Sequence, residues 1–251
     1  MADVADEVDA NFPYGLDRPK QARGTAGLGM LFGVLTLGSA LLPNAFESGL
    51  IVLVLALLTT CITSFFVSAG LFRTGSTKKI QAADRMLNGL ELRGDEDALD
   101  LGCGTGLLCA GLAVRLPKGK VTGVDAWVQS QLTPNGRTVA KRTLSLAGVK
   151  GVTLRTGSIR ELPVQDAGFD LVVSRDCLAL LPSDAARGEA VAELARALRP
   201  GGRVALLEPF CSRGLVKHLR AAGLADAERS KAWRSVMPWA RLVTASKPAA
   251  S

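Results

Sequence analysis

Residues 98–108 read ALDLGCGTGLL, an apolar run that leads into glycines at alternate positions, Gly102, Gly104 and Gly106. Glycine is needed where a backbone turns sharply or approaches a ligand closely, because no Cβ intrudes. About twenty residues on, the segment VTGVD presents Asp125 at the end of a second predicted strand. A carboxylate there can accept hydrogen bonds from both hydroxyls of a ribose. The two segments predict an adenosine-type ligand at the carboxyl ends of a parallel sheet.

The spacing of the glycines indicates which adenosine-type ligand is bound. A dinucleotide fingerprint is G-x-G-x-x-G, and its third glycine or alanine would fall at position 107, which is Leu107. Asp100 would repel a pyrophosphate and attract a positively charged amino group. S-adenosylmethionine has such a group and carries no phosphate. We therefore predict S-adenosylmethionine as the cofactor. A nicotinamide oxidoreductase is the disfavoured alternative, which NADH binding would test.

Apolar segments alternate with helix-like segments through the rest of the chain. This alternation predicts an α/β fold with a Rossmann-like, seven-stranded, mostly parallel sheet and helices on both faces. Predicted strands lie at 98–101, 120–125, 152–156, 169–174, 203–208 and 240–245, with a weaker one at 229–236. Predicted helices lie at 76–90, 106–115, 135–147, 184–198 and 214–222.

Two uncharged apolar stretches, 25–42 and 49–72, precede this domain. Each approaches the ~20 residues that cross a bilayer core. They predict a transmembrane hairpin at 25–72, after a polar segment at 1–24 and before a linker helix within 73–94 and a catalytic domain at 95–251. The alternative is a buried hairpin in a soluble protein, which the lack of a polar stripe disfavours. Lys and Arg flank the pair but are absent between them, which predicts an integral membrane protein with both termini cytoplasmic.

Composition excludes some classes of site and partner. The net charge is +7, but Lys and Arg are interspersed with Asp and Glu, so no nucleic-acid partner is expected. The five cysteines form no C-x-x-C pair, which favours reduced thiols over a disulfide framework. The single histidine, His218, has no Cys/His cluster beside it, and no metal site is expected.

Four motifs in order carry a resemblance to a known family. LDLGCGTG at 99–106 resembles motif I of the class I S-adenosylmethionine-dependent methyltransferases, in the type 11 branch related to ubiquinone/menaquinone methyltransferases. GSIRELP at 157–163 is similar to the family's G-D-x-x-x-L-P, and FDLVVS at 169–174 resembles its F-D-x-V strand. RALRPGGR at 196–203 resembles its R-V-L-R-P-G-G turn. The resemblance covers about two thirds of the chain, from about residue 92 onward. With the two apolar stretches, the chain also resembles a bacterial-type group of membrane methyltransferases.

The resemblance implies roles for individual residues. The backbone of Gly102, Gly104 and Gly106 would approach the methionine part of the cofactor, Asp100 would orient its amino group, and Asp125 its ribose hydroxyls. The expected cofactor-binding set also includes Cys103, Ala126, Ser158, Ile159 and Ser174.

Three residues are expected near the adenine. Ser158 stands where the family often has an aspartate that contacts the adenine amino group, and it can accept only a weaker, uncharged hydrogen bond. Ile159 would offer its backbone N–H and an apolar flank. Trp127 would either lie near the adenine or cover the sheet edge.

The acceptor side is expected in the segment after the fourth strand. Asp176 is the candidate proton acceptor, and the alternative is a capping or surface residue. Glu208 would either bind the acceptor or cap a helix. Cys177 has no histidine beside it to activate a nucleophile. Methyl transfer needs chiefly proximity and alignment, so the missing histidine does not argue against activity.

The expected function is methyl transfer at the cytosolic membrane face to a small-molecule acceptor, lipid-like or quinone-like. The alternative is a catalytically inactive, membrane-anchored cofactor-binding module for sensing or assembly. The sequence does not predict the acceptor's identity or the oligomeric state.

Overall fold

The structure, a computed structural model, describes residues 16–17, 54–64, 77–128, 132–133, 135–233 and 239–249. These residues fall into two compact units. One contains the described residues between 77 and 249 other than 132–133, and the other contains 16–17, 54–64 and 132–133.

The larger unit alternates strands and helices. Its strands are β1 (Ala98–Leu101), β2 (Val121–Asp125), β3 (Val152–Thr156), β4 (Phe169–Arg175), β5 (Leu198–Pro209), β6 (Ala225–Arg229) and β7 (Ala240–Ser246). Its helices are α1 (Thr77–Asn88), α2 (Leu107–Arg115), α3 (Arg137–Leu146), α4 (Asp184–Ala197) and α5 (Ser212–Ala221), with a 3-10 turn at Leu178–Leu180.

The seven strands form one sheet in the order β3-β2-β1-β4-β5-β7-β6. The five strands from β3 to β5 are parallel, and β7 is antiparallel to both of its neighbours. The seven-stranded Rossmann-like sheet expected from the sequence is therefore confirmed. The carboxyl ends of β1, β2 and β4 meet at one edge of the sheet, which is where ligands bind in such folds.

One strand lies elsewhere than predicted. The weaker strand was expected at 229–236, but β6 spans Ala225–Arg229, and residues 234–238 lie outside the described part of the chain. The physical reason is composition. The sequence of β6, ADAER, contains no β-branched or aromatic residue and buries only Ala227, so it lacks the residue types that favour a strand.

Side chains alternate between the two faces of the sheet. In β4, Leu171 and Val173 join a core cluster with residues of α1, α2 and α3. Val172 joins a second cluster, with residues of α4 and α5. Helices therefore cover both faces, which explains why the central strands are almost wholly apolar.

The predicted linker helix belongs to this larger unit. α1 buries Met86 and Leu87 in the cluster that contains Leu108 and Leu112 of α2. Arg115 of α2 also donates to Asp84 and to Asn88 of α1, at 3.1 and 2.7 Å. The helix therefore packs on the α/β domain that follows it.

The smaller unit bears on the predicted membrane spans. Leu16–Asp17 pairs antiparallel with Leu132–Thr133, and residues 54–64 form a helix. Of the second predicted span, 49–72, the structure describes residues 54–64. Within the described ranges, no helix has the length and apolarity required to span a bilayer. The first predicted span, 25–42, lies outside these ranges. On this finding the prediction of an integral membrane protein with a transmembrane hairpin and cytoplasmic termini is wrong.

Candidate active site

The glycine loop leaves the carboxyl end of β1 in a conformation that favours glycine. Gly102, Gly104 and Gly106 have φ of 69°, 51° and 87°, all in the left-handed region. The N–H groups of Gly102 and Cys103 both donate to Val124 O, at 2.8 and 3.2 Å. These bonds hold the loop against the end of β2, and α2 begins directly behind it at Leu107.

Asp125 lies where the sequence predicted it, beside this loop. Its Oδ2 accepts the N–H of Gly104 at 2.8 Å, and its Oδ1 accepts the N–H of Trp127. Each oxygen of an ionised carboxylate has a further lone pair. The half-buried carboxylate is thereby fixed in orientation by the backbone and retains acceptor capacity for two hydroxyl groups.

Asp100 lies on the same face of the sheet and is deeply buried. Its side chain is 1% exposed, and its Oδ2 accepts the thiol of Cys109 at 3.3 Å. Burial, together with the negative charge of Asp125, raises the pKa of Asp100 to about 7. A buried carboxylate whose ionised form is this costly is stabilised by a neighbouring cation. The site therefore suits a ligand with an ammonium group.

Cys103 faces away from the open side of the loop. A Cβ added at Gly123 would lie 2.7 Å from the sulfur of Cys109 and 2.9 Å from that of Cys103. Both thiols therefore fill the space left by the missing side chain in the middle of β2. At Cys103 the loop therefore presents its backbone, and not its side chain, to a ligand.

The predicted adenine contacts are spread along the ends of β2 and β3. Trp127 has a left-handed φ of 57°, and its indole N–H donates to Thr156 Oγ1 at 2.9 Å. Ala126 and Ser158 are exposed, and Ser158 Oγ accepts the N–H of Arg160 at 3.1 Å. Ile159 is 7% exposed and packs in the core cluster of α4 and α5, so its backbone is the part that remains for a ligand.

Ser174 and Glu208 form a buried pair beside the turn that follows β4. This turn, residues 176–179, is called the acceptor-side turn because the acceptor is predicted to lie there. Ser174 Oγ donates to Leu101 O at 3.0 Å and lies 3.2 Å from Glu208 Oε1. Glu208 accepts the N–H groups of the turn residues Cys177, Leu178 and Ala179, at 3.0, 3.1 and 3.0 Å. Burial raises the pKa of Glu208 to about 7 in spite of these donors. Its carboxylate caps the turn after β4.

Asp176 lies in that turn with a left-handed φ of 56°. Its N–H donates to Leu207 O at 3.0 Å, and its Oδ2 lies 2.9 Å from Nη2 of Arg175. The candidate proton acceptor is therefore ion-paired with its neighbour, and its catalytic role stays a prediction.

Sequence reasoning missed three residues of this region. Cys109 donates to Asp100 from the next helix, and Gly123 makes room for that thiol. Arg175 brings a positive charge to the end of β4. Only Arg175 left a local signal, since a charged residue ends a strand whose middle residues, Leu171–Val173, are apolar.

The donor and acceptor chemistry of the site fits S-adenosylmethionine. The glycine loop lets backbone approach the ligand without a Cβ, Asp100 suits the amino group, and Asp125 suits the ribose hydroxyls. A pyrophosphate would meet two carboxylates on this face instead.

Comparison with known proteins agrees with this fit. Residues 98–202 match the model of the family described as methyltransferase domain. Over 120 residues the chain is 34% identical to a demethylmenaquinone methyltransferase of Lactobacillus johnsonii, covering 47% of this chain and 46% of that protein. It is 35% identical over 112 residues to an arsenite methyltransferase of Halobacterium salinarum, covering 44% and 26%. The chain spans less than half the length of the curated relatives that it matches.

A solved structure shows the likeness of fold. The crystal structure of the cyclase SpnF has a TM-score of 0.55 at 21% identity, over 68% of this chain and 81% of that one. At this identity the likeness concerns the fold alone. The expected enzyme class and cofactor rest on the family match: residues 98–202 belong to a class I S-adenosylmethionine-dependent methyltransferase domain, whose cofactor is S-adenosylmethionine.

Proposed function

We propose that the protein transfers a methyl group from S-adenosylmethionine to a small-molecule acceptor of quinone-like or lipid-like character. One observation carries the cofactor half of this proposal. Asp100 and Asp125 flank a loop of left-handed glycines on one face of the sheet, and both carboxylates are oriented by bonds from neighbouring residues.

When bound, the cofactor supplies an electrophilic methyl group on a sulfonium that is already a good leaving group. The chain's own contribution is to bind and align. Asp100 holds the ammonium end, and Asp125 holds the ribose hydroxyls while its other lone pairs stay with Gly104 and Trp127. Because β1 and β2 hold both carboxylates in place, the cofactor's position is fixed at two points.

The acceptor would approach from the turn after β4 and the end of β5. Leu180 and Leu181 are partly exposed there, and Phe210 is 76% exposed. An apolar rim of this kind favours a hydrophobic ring or chain over a highly charged acceptor. The names of the two relatives, an arsenite and a demethylmenaquinone methyltransferase, support a small molecule but differ in its chemistry. We propose that Asp176 accepts a proton where the acceptor has one to lose.

A module that binds the cofactor without turnover is the second candidate. The ion pair between Arg175 and Asp176 favours it, because that contact occupies the carboxylate proposed as proton acceptor. This candidate predicts cofactor binding with no methyl transfer to any acceptor.

The deciding experiment measures S-adenosylhomocysteine binding by calorimetry to the full chain and to its Asp100→Ala and Asp125→Ala variants. We expect each substitution to weaken binding about tenfold or more, roughly 1.4 kcal/mol. Glu189→Ala is the matched control, since Glu189 is an exposed carboxylate that pairs with Arg160. Absence of binding to the folded wild-type protein would refute the proposal.

Turnover then separates the two candidates. Formation of S-adenosylhomocysteine from S-adenosylmethionine is followed with demethylmenaquinone, arsenite and a panel of smaller quinols. Acceptor-dependent product supports methyl transfer. Tight cofactor binding with no product from any acceptor class supports the binding module.

A further inference from the structure

The strand register places a positive charge beside the two cofactor-site carboxylates. Asp100 of β1 is opposite Gly123 of β2 on one side and Val173 of β4 on the other. Because side chains alternate along a strand, residues two positions further lie on the same face. Asp125 and Arg175 therefore share the face of Asp100, at the carboxyl ends of adjacent strands.

Packing agrees with this assignment. Val173 belongs to the core cluster that contains Cys109, the residue whose thiol donates to Asp100. Leu207, which is opposite Arg175 in the register of β5, belongs to the same cluster. Ser174, the residue between Val173 and Arg175, bonds to Leu101 O and lies beside Glu208. Arg175 is thus turned toward the cofactor face.

The guanidinium of Arg175 is largely buried and incompletely bonded. Its side chain is 12% exposed, and Nη2 pairs with Asp176 Oδ2 at 2.9 Å. Its Nε is buried and has no hydrogen-bond acceptor among the residues that the structure describes. A buried N–H without an acceptor costs about 1–3 kcal/mol. A ligand oxygen at this position would remove that cost.

Electrostatics link Arg175 to Asp100. The positive charge of Arg175 lowers the pKa of Asp100, against the larger effect of burial, which raises it. The two side chains therefore act on each other through the low-dielectric interior. Because the register also places them on one face of adjacent strands, one ligand can contact both.

The amino-acid end of the cofactor has two opposite charges on one carbon atom. Its ammonium suits Asp100, but its carboxylate would be repelled by both Asp100 and Asp125 unless a cation stood beside it. Arginine offers parallel N–H donors that match a carboxylate. We propose that Arg175 binds the carboxylate of the cofactor's methionine moiety, so that Arg175 and Asp100 together hold its zwitterionic end. This inference rests on the proposed function.

A structural role for Arg175 makes a different prediction. If Arg175 only positioned Asp176 or the turn after β4, its replacement would weaken all ligands of the site alike. If it binds the carboxylate, its replacement affects only ligands that have one. S-adenosylmethionine and decarboxylated S-adenosylmethionine differ by this group alone, and both keep the ammonium, the sulfonium and the adenosine.

The test is calorimetry of both compounds with the wild-type full chain and with Arg175→Gln and Arg175→Lys. We expect Arg175→Gln to weaken S-adenosylmethionine about tenfold or more, roughly 1.4 kcal/mol, and to change decarboxylated S-adenosylmethionine less than about threefold. Arg175→Lys, which keeps the charge without the planar fork, should be intermediate. Arg187→Gln is the matched control, because Arg187 is a half-buried arginine that is ion-paired with Asp184 on α4.

Each other outcome overturns the inference. Equal weakening of both compounds by Arg175→Gln assigns the residue a structural role, and no weakening removes it from the site. If Arg175→Gln does not fold, the wild-type comparison decides, since equal affinity for the two compounds contradicts any cation at the carboxylate. Wild-type protein that binds neither compound refutes the proposed function as well, which distinguishes the two failures.

Discussion

Cys177 lies directly against Gly102: a Cβ added at Gly102 would stand 2.1 Å from the sulfur of Cys177. The glycine loop after β1 and the acceptor-side turn after β4 are therefore in direct contact, through Gly102 and Cys177. This contact leaves no room for a side chain at Gly102, in addition to the cost of its left-handed backbone.

We expect Gly102→Ala to destabilise the protein more than Gly201→Ala, measured as the free energy of unfolding in urea. Gly201 has a similar φ of 78°, but a Cβ there meets nothing within 4 Å. Its substitution measures the backbone cost alone, about 1–3 kcal/mol. The difference between the variants reports the clash with Cys177, and the Cys177→Ala change should remove part of it. Equal costs at both glycines would contradict the direct contact of loop and turn.

Cofactor binding should strengthen as pH rises toward about 7, because the pKa of Asp100 is raised to about 7 by burial. Below that pH the carboxyl is protonated and must lose a proton to bind an ammonium group. Affinity for S-adenosylhomocysteine should fall up to about tenfold per pH unit on the acid side and level off above it. Calorimetry at pH 6 and pH 8 measures this slope.

The matched variant for this pH slope is Asp100→Asn, which cannot titrate. Asp125, Cys109 and Arg175 face Asp100 and remain in that variant. We therefore expect weaker but pH-independent binding by Asp100→Asn. A slope that persists in the variant would assign the titration to another group.

Removing the carboxylate of Glu208 should loosen the acceptor-side turn. Glu208→Ala leaves the N–H groups of residues 177–179 without their acceptor. Each buried N–H that loses its acceptor costs about 1–3 kcal/mol. We expect faster amide hydrogen exchange at these three residues, with Glu208→Gln intermediate because it keeps one carbonyl oxygen. Unchanged exchange in Glu208→Ala would show that the turn is held by other contacts.

Cys177 should behave as an inert thiol. Burial raises its pKa well above the ordinary thiol range, and the charge of Glu208 raises it further. We expect iodoacetamide at pH 8 to leave Cys177 unmodified in the native protein and to modify it in urea, as read by peptide mass spectrometry. Rapid native modification would reopen a nucleophilic role for this cysteine.

Much of the fold was predictable because local pattern determines it. β1 and β3 begin and end where the sequence placed them: β1 leads directly into the glycine loop, and β3 is rich in β-branched residues and lies between two glycines. β6 was misplaced because its sequence ADAER contains no β-branched residue, whereas VTLRT of β3, the other edge strand, contains three. The predicted membrane hairpin rested on apolar composition alone, and no helix among the described residues has the length and apolarity to span a bilayer.

The candidate site was predictable only where its residues are neighbours in sequence. The glycine loop and Asp125 could be found from spacing. The bonds from residues 177–179 to Glu208 join positions 29–31 residues apart, and nothing local marks them. The orientation of Arg175 likewise depends on the register of three strands, which only the folded sheet determines.

The cap at Glu208 has a consequence for how acceptor specificity can change. In the turn, its carboxylate accepts hydrogen bonds from main-chain N–H groups alone. These bonds therefore do not depend on which side chains stand at 177–179. Cys177 is held by its contact with Gly102 and Leu178 by the core, but Ala179 is half-buried and meets neither constraint. On the proposed function, in which the acceptor approaches this turn, substitution at Ala179 is therefore expected to change acceptor preference while the bonds to Glu208 and the contact of Cys177 with Gly102 stay intact.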